Sequence, residues 1–200
     1  MIDPKNIINH NLNNFDLQEL FLFCYAVAGK NSDQTADKIN ALSVDILCRD
    51  IMAENNVAGP LEYLAMLPKE DSESILRQHK VGKYTNWNAM LKQFSYRKPH
   101  INKILRRGSH LYLECFKGVG QKTSRFFLSS SRSGTRYAVL DTHILRYLRE
   151  AGYKAPKSTP RGRSYHYWEA IALSRMEDAR NEGESLADVD LRIWRLYSGR

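Results

Sequence analysis

Two side chains in this sequence occupy positions that give them chemistry, Lys122 and Asp141. Lys122 comes two residues after Gly118-Val119-Gly120, and Asp141-Thr142-His143 follows 19 residues beyond the lysine. Each marks the expected start of a helix. An amine there sits in the positive end of the macrodipole, which disfavours a further positive charge, and amines attack carbon only when unprotonated. At Asp141 the same dipole favours the carboxylate, a group able to stabilise a developing cation. Each residue also has a plain structural role open to it. A lysine beside a glycine turn contacts phosphate in non-enzymatic modules, and an aspartate ahead of Thr-His-Ile-Leu is a good N-cap.

Either role requires a tight turn between two helices. The stretch 111–128 reads as such a unit, a helix-hairpin-helix, with Gly118 and Gly120 expected to take positive φ and to expose successive amides beside a helix start. Such a concavity fits a DNA phosphate. Lys117 and Arg125 belong to the same basic stretch, which begins at Lys98, Lys103, Arg106 and Arg107 and continues through Arg132 and Arg136. Phosphate neutralisation dominates non-specific DNA affinity, so this density favours nucleic acid as the partner.

The hairpin, the lysine after its second glycine and the downstream Asp-Thr-His together resemble the helix-hairpin-helix DNA glycosylase superfamily, in its bifunctional glycosylase/AP-lyase branch. The resemblance implies that Lys122 attacks the sugar C1′ and that Asp141 assists departure of the base. It also implies that the carbonyls of Glu114, Phe116 and Val119 hold a monovalent cation, K+ or Na+, that bridges to a phosphate, and that no other cofactor is required. A loop in the place of Lys30-Asn31 fills the gap left by an extruded base in that family, although the same residues suit an ordinary capped turn. Asp-Leu-x-x-Trp near the terminus resembles the small archaeal-type 8-oxoguanine glycosylases, which implies a base pocket built with Trp194 and Arg200. Two departures are visible. Lys117 stands where many members have proline, and the chain ends in Arg200 where those small enzymes end in lysine.

Composition sets the bounds. Thirty Lys plus Arg against 22 Asp plus Glu give a net charge of +8, with a pI near 9.4, and 42% hydrophobic residues argue a folded protein. A basic balance of this size attracts polyanions. Cys24, Cys48 and Cys115 are isolated, so neither a disulfide framework nor a zinc site follows, and the four-cysteine cluster of iron–sulfur relatives is absent from the sequence. No apolar run approaches the roughly 20 residues needed to span a bilayer. A cytoplasmic monomer acting on double-stranded DNA with a damaged base, without a membrane, is the expectation.

Along the rest of the chain, residues 1–14 read as a loosely held polar arm and 15–28 as a buried helix. Further helices are expected after the turn at Lys30–Asp33, from Gly59-Pro60, over 73–79 and over 86–94, the last with a stripe of Trp87, Met90, Leu91 and Phe94. His79 and His100 read as surface residues. Ser129–Thr135 reads as a loop, and Lys154–Arg163 as an exposed basic loop able to track a backbone. A helix over 164–181 precedes a terminal amphipathic one with Leu186, Val189, Ile193 and Leu196 on its apolar face.

No stretch alternates at period two, so the fold is expected to be all-α. The resemblance implies two helical lobes, one from 1–28 with 129–200 and a middle one from 29–128 that ends in the hairpin, with Lys122 and Asp141 facing each other across a cleft between them. Three functions stay open from sequence. One is excision of a damaged base, foremost 8-oxoguanine, with strand cleavage at the abasic site. Another is the same chemistry on an oxidised pyrimidine or on a base in a bacterial defence pathway. The third is a non-catalytic DNA-binding module.

Overall fold

A computed structural model describes residues 1–48 and 57–198. Among the described residues the regular elements are eleven α-helices and one 3-10 turn, with no strand. The chain divides into two compact units, residues 1–7 with 11–119 and residues 8–10 with 120–200. This division differs from the expected one in where the first helix falls and in ending the first unit inside the hairpin.

The first unit is built on α1 (Asn14–Ala26), which starts at Asn13, whose side chain accepts from the Asp16 amide. Its residues 17–26 are all buried, including the polar Gln18 and Glu19. It packs against α2 (Ser32–Leu47), α3 (Pro60–Met66) and α6 (Ile101–Arg107), which is why it belongs with this unit. Gln18 is satisfied by long-range partners: its Oε1 accepts from the Glu62 amide at 2.9 Å and its Nε2 donates to Asn102 Oδ1 at 2.9 Å. A buried amide without such partners would destabilise the core. Between α3 and α6 lie α4 (Lys69–Gln78), which begins earlier than the sequence suggests, and α5 (Tyr84–Ser95). The four stripe residues of α5 are buried as expected, and Trp87 meets Tyr25 edge-on.

The N-terminal arm is tied down rather than loose. Asn40 clamps Ile2 through both its amide groups, and the Asn9 amide donates to the Ser130 carbonyl. His79 is not a free surface residue either, since its Nε2 lies 3.0 Å from Asp45 Oδ2 on α2.

Within this unit α7 (His110–Glu114) is followed by the turn 115–119. Phe116 stacks on Phe94 with centroids 4.0 Å apart. Gln93 donates to the Cys115 carbonyl and accepts from the Lys117 amide at 2.6 Å, and the Tyr25 hydroxyl donates to the Lys117 carbonyl at 3.0 Å. Proline at 117 has no amide to give. The lysine restores through Gln93 the rigidity that a proline ring would supply.

The second unit holds α8 (Gln121–Ser131), α9 (Thr142–Glu150), α10 (Arg163–Asp178) and α11 (Leu186–Tyr197). Ser129, Ser130 and Ser131, expected in a loop, are buried in the last turn of α8. Ser129 and Ser131 satisfy their hydroxyls on the carbonyls of Arg125 and Phe127, four residues back, which makes them compatible with burial. The core gathers Leu140, Ile144, Leu145 and Leu148 with Tyr165, Ala172, Met176, Leu186, Val189 and Ile193. Leu196 is 76% exposed and falls off the apolar face assigned to it.

The two hairpin glycines differ, and this yields a paired prediction. Gly118 has φ +83°, and a Cβ there would lie 2.5 Å from the Tyr25 hydroxyl oxygen. Gly120 has φ −100°, contrary to the expectation of positive φ, and a Cβ there meets nothing within 4 Å. Gly118→Ala is expected to lower the unfolding free energy by about 2–4 kcal/mol, from the left-handed backbone and a lost tyrosine bond. Gly120→Ala is expected to change it by less than about 1 kcal/mol. Urea unfolding of both variants measures the contrast.

Candidate active site

Lys122 is the second residue of α8, two residues after the turn glycine Gly120 that caps the helix. Its side chain is half-buried and makes no hydrogen bond or ion pair with a described residue. Asp141 is the N-cap of α9. Its Oδ1 accepts from the amides of His143 and Ile144 at 2.8 and 2.9 Å, while Oδ2 takes no hydrogen bond from the described residues. The N-cap role thus engages only one of the two carboxylate oxygens among the described residues. That oxygen fixes the carboxylate in the positive end of the helix.

The approach to Asp141 is non-helical backbone inside the core. Ala138, Val139 and Leu140 are buried and unpaired with any strand, so side chains must satisfy their amides and carbonyls. The Tyr165 hydroxyl donates to the Ala138 carbonyl at 3.1 Å and accepts from the Leu140 amide at 3.3 Å. Thr159 donates to the Leu140 carbonyl at 2.9 Å, and Asp190 Oδ2 accepts from the Val139 amide at 2.8 Å. The Asp141 amide itself turns back onto the Val139 carbonyl at 2.7 Å.

Asp190 is only 8% exposed. Burial pushes its carboxyl up to about 8; the Val139 amide opposes this, the charge on Asp141 adds to it and Lys122 opposes it. Lys122 and Asp141 are thus both close enough to Asp190 to act on it electrostatically. All three lie in the second unit, so the lysine and Asp141 are not divided between lobes as expected.

Trp194 is one helical turn beyond Asp190 on α11 and is half-buried, its ring edge-on to His143 at 6.1 Å. The His143 Nδ1–H donates to the Tyr197 carbonyl at 3.0 Å. Arg200 lies outside the described residues.

The turn presents Lys117, Gly118 and Gly120 as exposed residues with Val119 buried between them. The Phe116 carbonyl already accepts from the Val119 amide at 3.0 Å. A carbonyl has two lone pairs, so this oxygen retains capacity for a cation.

Three of the DNA-contact residues expected from sequence are already engaged. Arg125 is 1% exposed, with its Nε 3.0 Å from Glu169 Oε1 and its guanidinium over the Tyr165 ring, so it is a core cation and cannot reach a phosphate. The Lys30 ammonium donates to the Val81 carbonyl, and burial first, then Lys83 and Lys38, lowers its pKa. Asn31 caps α2, accepting from the Gln34 amide at 3.1 Å. The loop 154–163 is anchored as well. Gln121, the first residue of α8, accepts from the Gly162 amide at 2.7 Å and donates to its carbonyl, and Ala155 is buried.

Sequence reading missed Asp190, Tyr165, Thr159 and Glu169. A signal existed for Asp190: it falls four residues after Leu186, on the apolar stripe of α11, where a carboxylate needs a reason.

No protein-family model matches the sequence. Two solved structures share the all-helical fold. One is the 8-oxoguanine glycosylase/lyase of Methanocaldococcus jannaschii in complex with a 15mer DNA containing 8-oxoguanine, with a TM-score of 0.66 and 21% identity over 95% of this chain and 84% of that one. The other is the 8-oxoguanine DNA glycosylase of the same organism, with a TM-score of 0.61 and 23% identity over 95% of this chain and 81% of that one. Among the described residues no helix is long and apolar enough to cross a membrane.

The Arg125–Glu169 pair yields a second prediction. Arg125→Ala leaves a buried carboxylate without its partner and is expected to destabilise by about 3–5 kcal/mol. Thermal and urea unfolding measure it, and exposed Lys117→Ala serves as the control, with a change near zero.

Proposed function

We propose that this protein is a DNA glycosylase with lyase activity, acting on duplex DNA that contains a damaged base, foremost 8-oxoguanine. The observation that carries the reading is the electrostatic convergence of Lys122 at the start of α8 and Asp141 at the start of α9 on the buried Asp190. The fold shared with a glycosylase/lyase that carries DNA containing 8-oxoguanine supports it. A binding module has no use for a half-buried lysine without a hydrogen bond or ion pair among the described residues, nor for an N-cap carboxylate that keeps one oxygen unbonded among them.

In this reading the target nucleotide is extruded from the stack before reaction. The free amine of Lys122 bonds to C1′ as the bond from C1′ to the base breaks, while the Asp141 carboxylate stabilises positive charge on the sugar. Opening of the sugar ring leaves an imine between Lys122 and C1′. Loss of a proton from C2′ then expels the 3′ phosphate by β-elimination. The exposed turn residues Gly118 and Gly120, with the Lys117 side chain, would take a phosphate. The carbonyls of Glu114, Phe116 and Val119 would hold a K+ or Na+ ion there. Trp194 would supply one face of a base pocket, with Arg200 beside it.

Single-turnover assays on duplexes with single defined lesions test the proposal. Wild-type protein is expected to excise 8-oxoguanine and to cleave the strand. Lys122→Gln is expected to lose strand cleavage on a preformed abasic site, because the amide is not nucleophilic. Asp141→Asn is expected to excise about 100–1,000-fold more slowly while retaining part of its cleavage of the abasic site, where no bond to a base has to break. Absence of excision and cleavage by wild-type protein across a broad lesion panel would reject the enzyme in favour of a binding module.

A further inference from the structure

Asp190 belongs to the apolar stripe of α11, yet among the described residues neither a salt bridge nor a second hydrogen bond compensates its burial. Its one hydrogen bond among the described residues is from the Val139 amide to Oδ2, and Oδ1 accepts none from them. The charged and titratable groups that face it are Asp141 at the start of α9, Lys122 on α8 and the Tyr165 hydroxyl on α10. Tyr165 stays neutral, its pKa raised chiefly by burial. Asp190 and Tyr165 grip the same three-residue approach, one through the Val139 amide and the other through Ala138 and Leu140.

We propose that Asp190 is a positioning residue for the reaction: a buried carboxyl on α11 that, through the Val139 amide, anchors the backbone leading into Asp141. The proposal rests on the glycosylase reading. A neutral carboxyl fits the site first because burial disfavours the ionised form, and then because the nearby Asp141 charge adds to that effect. The amide bond to Oδ2 leaves Oδ1 to hold the proton. Ionisation of Asp190 would add a second negative charge next to Lys122 and favour its ammonium, which cannot attack carbon. Activity should therefore decline as Asp190 loses its proton.

The linkage sign follows from the direction of the shift. The folded-state pKa, about 8, lies above that of an unfolded-chain carboxyl, about 3.9. Between these values the folded protein binds a proton that the unfolded chain releases, so stability falls as pH rises through this window and levels off above it.

The test compares wild type, Asp190→Asn and Asp190→Ala in two measurements. The first is the single-turnover excision rate from pH 6 to 9.5. Wild type is expected to lose rate relative to Asp190→Asn as the pH rises through about 8. Asp190→Asn keeps an acceptor for the Val139 amide and cannot ionise. Its rate at pH 7 is expected to drop by less than about tenfold, with no alkaline fall, whereas Asp190→Ala is expected to lose about 100-fold through displacement of Asp141. An unchanged alkaline fall in Asp190→Asn, or equal losses in the two variants, would overturn the proposal. The second measurement is the melting temperature from pH 4 to 9, which needs no substrate. Wild type is expected to lose stability relative to Asp190→Asn between about pH 4 and 8, and parallel curves would overturn the neutral carboxyl even if no lesion is excised. Failure of the glycosylase reading shows separately, as absence of excision together with diverging melting curves.

Discussion

Non-helical backbone in an apolar core must have its amides and carbonyls satisfied, and the segment 138–140 sets that constraint here. It is buried, it has no strand beside it, and it delivers Asp141 to the start of α9. Tyr165, Thr159 and Asp190 bond to it from α10, the loop before α10, and α11. Those elements are therefore fixed relative to Asp141 by hydrogen bonds as well as by apolar packing. Losing one such bond would leave a buried polar group unsatisfied, a cost of about 1–3 kcal/mol.

The same logic explains the buried Arg125. Its guanidinium sits one turn beyond Lys122, paired with Glu169 and covered by Tyr165, the ring whose hydroxyl holds the Asp141 approach. One tyrosine thus links the helix that carries the lysine to the segment that carries the aspartate. In the first unit the turn is secured by different means. Phe116 stacks on Phe94, Gln93 bonds on both sides of the phenylalanine, and the Tyr25 hydroxyl occupies the space that a side chain at Gly118 would need.

Much of this was legible in the sequence. Glycine spacing, the helix-start residues and the period of the apolar stripes gave the helices and the glycine turn, and put Lys122 and Asp141 at helix starts. Local patterns carry such information because caps and stripes are decided within one or two turns. Partners distant in sequence were not legible. Nothing around Arg125 announces Glu169, 44 residues away, so its charge counted as surface. Lys30 and Asn31 failed for a related reason: a polar turn looks the same whether its side chains face solvent or close on a neighbouring carbonyl and their own helix. Asp190 offered a cue in breaking an apolar stripe, but its purpose emerges only once the chain has folded back on Val139.

The account depends on Lys122 as the atom that bonds to DNA. Reductive trapping with borohydride on lesion-containing duplex, followed by peptide mapping of the adduct, tests it most directly. The predicted result is one sugar-linked peptide, modified at Lys122. An adduct mapped to another lysine, or none from protein that excises the base, would contradict the account.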